Sequence, residues 1–275
     1  MSIATFTLIA LRIGDFSSEI NAALFAVIGL LIGSFCNVII YRLPRKIKIG
    51  MSRSRCGSCG TQIKAYDNIP VISYLLLRGK CRSCKARISP RYPLVELLVG
   101  FLWAAPILLG MPLPQALISA LFTTVLVVIA IVDFEHLIIP DSMVIALAVL
   151  AVPGFILQFP PNWIDRLIGG FAAGAFLYLL AVLSEKILKK EGMGGGDIKL
   201  MAAAGFILGW QLSALSLAFG AVAALLMIVL MKVFSRDFND EKQVPFGTPL
   251  ALAMAVCLYF GDGMIHWYLH LFIKP

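Results

Sequence analysis

The chain has 275 residues, of which 60% are hydrophobic and only 14% are charged, and its formal net charge is +8 at pH 7. Soluble domains are nearer to half apolar and a quarter charged, so this composition excludes an ordinary soluble protein and indicates a membrane protein. An excess of positive charge can also serve nucleic-acid binding. No nucleic-acid-binding motif accompanies it, so we expect a lipid bilayer, and no nucleic acid, as a partner.

Apolar stretches long enough to cross a bilayer, which takes about 20 helical residues, recur along the whole chain. They predict an all-α, polytopic helical membrane protein with about eight transmembrane helices. The predicted spans are, in chain order, 21–41, 93–111, 114–132, 142–159, 166–184, 198–210, 212–233 and 248–272. The residues before them, 1–20, lack the pattern of a cleaved signal peptide and are interpreted as a periplasmic or interfacial segment.

Basic residues are concentrated in one loop between the first two spans. Thirteen of the 23 Lys and Arg residues lie in 42–91, against a single acid, Asp67. Cytoplasmic loops of membrane proteins carry such an excess, so we predict that this loop is cytoplasmic. Alternating orientation then places 132–141, 185–199 and 232–247 on the cytoplasmic side and both termini on the periplasmic side.

The same loop contains two CxxC pairs, CGSC at Cys56 and Cys59 and CRSC at Cys81 and Cys84. Two such pairs can complete the four-thiolate shell of a tetrahedral zinc ion, which leaves no open position for a catalytic water. A cytoplasmic location argues against stable disulfides. The sequence therefore predicts a structural Zn²⁺ in a small zinc-ribbon-like loop domain, 43–91. Two reduced or redox-active pairs without metal are the alternative.

Acidic residues at the ends of apolar spans need an explanation, because a charge at mid-membrane costs roughly 2.5–3.5 kcal/mol. Asp133 ends the third predicted span and Asp197 starts the sixth. Asp133 is thus at a helix C-terminus, where the helix dipole disfavours a negative charge. Asp197 is at a helix N-terminus, where the dipole favours one. Two carboxylates in contrasting environments suit aspartic proteolysis, in which one activates a water and the other donates to the carbonyl oxygen. Acids that merely lie at helix ends near the membrane surface are the alternative.

Three glycines precede the second of these acids, in the sequence GMGGGDIKL. Gly194, Gly195 and Gly196 permit positive φ and close backbone approach, and we interpret them as a loop against which a substrate peptide lies extended. A flexible interhelical loop is the alternative. The chain has no HExxH pair and no GxSxG elbow, which argues against zinc and serine hydrolases.

Three other charged residues near the spans can be interpreted in structural or in functional terms. Asp141 follows Pro140 at the start of an apolar run, and we predict that it is a helix N-cap. Arg91 and Glu96 lie beside the cysteine loop. They either help to bind a substrate or serve as helix-end caps and anchors to the cytoplasmic side, and the sequence leaves this open.

Taken together, these motifs resemble the bacterial type IV prepilin peptidase family, whose members are bifunctional leader peptidases and N-methyltransferases. The motifs that carry the resemblance occur in the family's order: GSFCNVIIYRLP (33–44), the paired CxxC loop, ISPRYPLVELL (88–98), DFEHLIIPD (133–141), GMGGGDIKL (192–200) and VPFGTPLALA (244–253). They span nearly the whole chain.

The resemblance implies an aspartic endopeptidase of the GxGD type whose catalytic pair is Asp133 and Asp197. It implies cleavage of the basic leader of type IV prepilins or type II secretion pseudopilins after a glycine, on the cytoplasmic side of the bacterial inner membrane. The new N-terminal residue, usually Phe, is then methylated with S-adenosylmethionine. The implied division is a first transmembrane helix (21–42), a methyltransferase-associated loop (43–91) and a transmembrane peptidase domain (92–275).

Three alternatives remain at this point. Relatives without the cysteine ribbon are limited to proteolysis, so the ribbon favours the bifunctional form over a peptidase alone. A proton-coupled transporter also uses intramembrane acids and glycine breaks, but it should show repeats that pair the two aspartates. A zinc-ribbon membrane adaptor would need the cysteines and neither aspartate. The residues that bind S-adenosylmethionine are not identified by the sequence.

Overall fold

The computed structural model of the protein describes residues 18–50, 54–157, 160–189, 194–234 and 244–272. Within these ranges the regular structure is helical, and the only β-pairing is two isolated antiparallel bridges, Arg55 with Gln62 and Lys80 with Arg87. The predicted segment 1–20 lies almost entirely outside the described residues.

Eight α-helices occur in the described part of the chain. They are α1 (Ser18–Arg42), α2 (Ile72–Leu76), α3 (Arg91–Leu108), α4 (Leu113–His136), α5 (Asp141–Ile156), α6 (Trp163–Leu188), α7 (Gly195–Phe234) and α8 (Gly247–Phe272). Six of them, all except α2 and α5, are long and apolar enough to cross a membrane. The prediction of an all-α, polytopic membrane protein is confirmed.

The number of spans differs from the eight predicted from the sequence, for two local reasons. Helix α5 has 16 residues, fewer than the predicted span 142–159. The predicted spans 198–210 and 212–233 are joined in the single 40-residue helix α7, which is interrupted at Gly209 (φ 76°, ψ 173°). The eight predicted spans therefore correspond to seven helices.

The break in α7 is stabilised by a buried arginine from α6. Carbonyl groups freed by a break in a membrane helix need new hydrogen-bond donors, because lipid supplies none. Arg166, which is 4% exposed, donates from Nη1 to the carbonyl oxygens of Phe206 (3.0 Å) and Ile207 (3.3 Å). The irregular backbone at Gly209 is thus satisfied within the protein.

Packing divides the chain into two compact units, Met1–Thr124 and Val125–Pro275. In the first unit α1 packs on α3, and in the second α7 packs on α5, α6 and α8. Glycines allow the closest approaches, as in membrane helices generally. A Cβ on Gly33 would lie 2.8 Å from the Cα of Glu96, and a Cβ on either Gly169 or Gly205 would meet the other residue's backbone.

Candidate active site and metal centre

Asp133 lies in the last turn of α4 and is 5% exposed, and its carboxyl is held by the first turn of α8. The backbone N–H of Thr248 donates to Oδ2 of Asp133 at 2.7 Å, and the Thr248 hydroxyl lies 3.1 Å from the same oxygen. That hydroxyl also lies 2.9 Å from the carbonyl oxygen of Ala130. Thr248 therefore fixes both the carboxyl and the helical turn that carries it.

The contact between Asp133 and α8 changes which helix dipoles act on the Asp133 and Asp197 carboxyls. Unpaired N–H groups at a helix N-terminus attract negative charge, and the N-terminus of α8 faces Asp133. Asp197 lies at the N-terminus of α7, as the sequence indicated. Both carboxyls are therefore placed against a helix N-terminus. The contrast in dipole environment predicted from the sequence is not found, because that prediction considered only the helix to which Asp133 belongs.

Gly247, the first residue of α8, is the point of closest approach to Asp133. A Cβ at this position would lie 3.0 Å from Oδ2 of Asp133 and 2.8 Å from Cδ1 of Ile139. Both distances are shorter than ordinary van der Waals contact. A glycine is needed here for the carboxyl to reach the backbone N–H groups of α8.

Asp197 is the third residue of α7 and is 8% exposed. Its backbone N–H donates to the carbonyl oxygen of Gly194 at 3.1 Å, and its carboxyl interacts with the backbone N–H of Gly194. A carboxyl in the first turn that reaches back to the preceding N–H is a helix-capping arrangement. The negative charge of Asp133 acts on Asp197, so the structure brings the two predicted acids together.

The three glycines before Asp197 are not all loop residues. Gly195 and Gly196 are the first two residues of α7, and none of the three has a positive φ. A Cβ on Gly196 would lie 3.0 Å from Cβ of Ile139, whereas a Cβ on Gly195 would meet nothing within 4 Å. Close approach, and not unusual backbone geometry, therefore explains Gly196, and Gly195 borders open space.

Asp141 does not have the role predicted for it. The N-cap of α5 is Pro140, and Asp141 is the first helical residue, with no side-chain capping bond. Its exposed carboxylate pairs with Nζ of Lys199 at 2.8 Å. Asp141 is therefore an exposed surface acid, and its ion pair contributes little to stability.

The four cysteines of the loop converge on one point. Their Sγ atoms all lie within 4.8 Å of one another, and those of Cys56 and Cys84 are 3.8 Å apart. Zinc–sulfur bonds of about 2.3 Å in a tetrahedron require sulfur atoms about 3.8 Å apart. The thiol donors thus fit a tetrahedral metal ion of the size and preference of Zn²⁺.

The two CxxC turns are built alike. The backbone N–H of Cys56 donates to the carbonyl oxygen of Thr61 (2.9 Å), and that of Cys81 donates to Ala86 (2.8 Å). Within each turn, backbone N–H groups lower the pKa of the first thiol, beginning with that of Cys59 for Cys56 and that of Cys84 for Cys81. Lowered pKa values favour the thiolate form, which is the form that binds metal.

Sequence reasoning missed Gly247, Thr248 and Ile139 as parts of the site. The motif VPFGTPLALA contains the first two, and a glycine followed by a polar residue and a proline is a signal for a helix start. Nothing in the local sequence shows that this helix start meets Asp133, which is 115 residues distant from Thr248.

These features define a class of protein. It is a polytopic helical membrane protein with two buried acids whose charges repel, each against a helix N-terminus, and with four cysteine thiols that converge on one point. Aspartic hydrolases use acids arranged as such a pair.

Comparison with known proteins identifies the family. Residues 27–109 match the bacterial peptidase A24 N-terminal domain, and residues 120–229 match the type IV leader peptidase family. A protein of Aeromonas hydrophila named prepilin leader peptidase/N-methyltransferase is 34% identical over 89% of this chain and 92% of its own. A protein of the same name from Pseudomonas putida is 33% identical over 86% of this chain and 89% of its own. No solved structure matches the chain significantly.

The chain belongs to the type IV leader peptidase family. The resemblance inferred from its motifs is confirmed. The first matched domain lies within the first structural unit, and the second begins at residue 120, close to the boundary between the two units.

Proposed function

We propose that this protein cleaves the basic leader of type IV prepilins or type II secretion pseudopilins after a glycine, and then methylates the new N-terminal residue with S-adenosylmethionine. The main support for the proposal is that two buried acids, Asp133 and Asp197, interact electrostatically. In addition, the relatives of this chain are named for these two activities. A transporter or a zinc-ribbon adaptor would not explain why the chain belongs to the type IV leader peptidase family.

The two aspartates act as one acid–base unit in this proposal. One carboxylate takes a proton from a water molecule, whose oxygen attacks the scissile carbonyl carbon, while the other, protonated, donates to the carbonyl oxygen. The C–N bond then breaks and the leaving amine takes up a proton. Because the pair titrates jointly, the acid and base roles belong to the pair and not to one residue.

The residues around the pair support this chemistry. Thr248 holds one oxygen of Asp133 in place, and Ile139 lies against Gly196 of α7 and Gly247 of α8. The open space beside Gly195 leaves room for an extended substrate backbone next to Asp197. We assign Gly195 to the substrate-facing surface on this ground, and Gly194 and Gly196 to the same surface because they adjoin it in the chain.

The proposed setting is the bacterial inner membrane, with the active site on the cytoplasmic side and both termini periplasmic. The basic loop 42–91 supports this orientation through the excess of positive charge in cytoplasmic loops. In functional terms, 43–91 is the methyltransferase-associated loop and 92–275 the peptidase domain, after a first transmembrane helix at 21–42.

The four thiols are proposed to bind one structural Zn²⁺, held by Cys56, Cys59, Cys81 and Cys84. The purified protein should contain about one zinc per chain, because four converging thiolates bind this ion tightly. Elemental analysis of a Cys81→Ser variant should show most of this zinc lost. Cys257→Ala, which removes a buried thiol elsewhere in the described chain, serves as the control and should retain it. Full zinc content in Cys81→Ser would contradict the assignment.

Thr248 is proposed as a positioning residue for Asp133. Thr248→Val keeps the backbone N–H and the side-chain shape but removes the hydroxyl. We expect kcat for leader cleavage to fall about tenfold, the value of one hydrogen bond to a charged group, with KM unchanged. Thr248→Ser, which keeps the hydroxyl, should restore most of the rate. Equal rates for the Val and Ser variants would contradict this role.

A reconstituted reaction tests the proposed function as a whole. Purified protein is incubated with a prepilin and S-adenosylmethionine labelled in its methyl group. We expect a shortened pilin that carries the label. If the prepilin remains uncut under conditions in which the protein is folded and zinc-loaded, the proposal is wrong.

A further inference from the structure

A cavity of about 640 Å³ lies in the first structural unit, and none of the residues that line it contacts either aspartate. It is lined by residues of α1, of the cysteine loop and of the start of α3, including Asn37, Asp67, Tyr74, Arg87, Tyr92 and Glu96. Small-molecule sites are typically about 300–1,000 Å³ and combine an apolar wall with a few converging polar groups. This cavity has the size and the lining of a ligand site.

Glu96 is the unusual residue in the wall of this cavity. Glu96 is only 8% exposed. Its Oε2 accepts a hydrogen bond from the backbone N–H of Val71 at 2.8 Å. In the part of the chain that the structure describes, no Lys, Arg or His forms an ion pair with it. A buried carboxylate without a cation is unfavourable, and near a membrane it marks a functional site.

The other acid in the wall is already neutralised. Both oxygens of Asp67 accept hydrogen bonds from Arg82, at 2.6 to 3.0 Å. This guanidinium lowers the pKa of the Asp67 carboxyl, so Asp67 stays ionised and paired. Among the described residues, Glu96 is therefore the wall acid whose negative charge is not paired with a cation and can interact with a ligand.

A second wall residue also has an unused polar atom. Asn37 is 3% exposed, and its Nδ2 donates to the carbonyl oxygens of Tyr92 (3.1 Å) and Gly33 (3.3 Å). Within the described residues, no group donates a hydrogen bond to Oδ1 of Asn37. Buried acceptors are nearly always satisfied, so an unsatisfied one beside a cavity indicates a missing donor.

We propose that this cavity is the S-adenosylmethionine site and that Glu96 binds the positively charged end of the molecule. This inference rests on the proposed methyltransferase activity and assigns residues to it. S-adenosylmethionine suits the cavity because it carries a sulfonium and an ammonium group, which complement Glu96, and hydrogen-bond donors that Asn37 can accept. The arginines and tyrosines of the wall match its carboxylate and its adenine ring.

The chemistry at this site is simple. When bound, S-adenosylmethionine supplies an electrophilic methyl group. The neutral amine of the new N-terminus forms the N–C bond as the C–S bond breaks, the bonding pair remains on sulfur as a thioether, and the amine's extra proton passes to solvent. A negative wall residue favours binding of the cationic donor over its neutralised product, which aids turnover.

Binding of S-adenosylmethionine to the full-length protein, measured by calorimetry, tests the proposal. Glu96→Gln retains an oxygen that can accept from Val71 but removes the charge. We expect the Kd to rise about tenfold or more, the value of a lost charge-assisted hydrogen bond. Glu185→Gln, the same substitution on an exposed residue of α6, is the matched control and should bind as the wild type does. Both variants should contain as much zinc as the wild type, which shows that the cysteine loop beside the cavity is folded.

An unchanged Kd in a zinc-loaded Glu96→Gln variant would overturn the proposal. Photo-crosslinking of S-adenosylmethionine to the wild type gives an answer that does not depend on any variant. Label on peptides from 34–96 is expected, and label confined to 125–272 would overturn it. If the proposed methyltransferase function itself is wrong, the wild type will neither bind S-adenosylmethionine nor methylate a cleaved pilin.

Discussion

Replacing either aspartate by asparagine is expected to abolish leader cleavage. Asp133→Asn and Asp197→Asn each remove a group that accepts or donates the reaction's proton, a contribution of about 10²–10⁴-fold to the rate. Asparagine keeps the size of the side chain and one acceptor oxygen, so the contact of residue 133 with the Thr248 N–H can persist. We therefore expect stable, membrane-inserted proteins without activity, as measured by the conversion of a prepilin reporter.

The structure supplies a matched control for this experiment. Asp141→Asn makes the same substitution at an exposed acid that pairs with Lys199. It should cleave at the wild-type rate, because an exposed ion pair contributes little. Wild-type cleavage by either the 133 or the 197 variant would remove that residue from the catalytic pair.

The second large effect is expected at Gly247, where one methyl group should disrupt the site. In Gly247→Ala the added Cβ would meet Oδ2 of Asp133 at 3.0 Å and Cδ1 of Ile139 at 2.8 Å. The carboxyl must then move away from the start of α8. A misplacement of about 1 Å at a catalytic group can cost about 10²-fold in rate. We expect kcat for leader cleavage to fall by this order.

Two comparisons separate this effect from a general loss of structure. Alanine is a better helix former than glycine, so Gly247→Ala should not lower the thermal stability of the helix itself. Gly263→Ala adds the same methyl group further along α8, where it meets no atom within 4 Å, and should leave cleavage unchanged. If Gly247→Ala cleaves as fast as Gly263→Ala, the contact between Asp133 and α8 is not important for catalysis.

The individual acids and thiols of this protein could be predicted from the sequence because each occurs in a short motif. Cys56 and Cys59 share one turn and Cys81 and Cys84 another, so spacing alone pairs them. Asp133 and Asp197 are costly in an apolar chain, and that cost points to a function. The structure adds that the thiols converge and that the acids interact.

The surroundings of the acids could not be predicted, because they depend on contacts between distant segments. The dipole environment of Asp133 was inferred from its own helix, whereas the N-terminus of another helix decides it. The N-cap prediction for Asp141 failed because Pro140 already occupies that position. The predicted division of the apolar run near residue 210 reflects a real break at Gly209, but only the structure shows that α7 continues beyond it.

The most direct test of the account is mass spectrometry of the N-terminus of a prepilin co-expressed with the wild type, Asp133→Asn or Asp197→Asn. The account predicts a leader removed after its glycine and a methylated new N-terminus with the wild type. It predicts an intact leader with either variant. A processed N-terminus with an aspartate variant, or an intact leader with the wild type, would contradict the claim that these two residues form the catalytic pair of a leader peptidase.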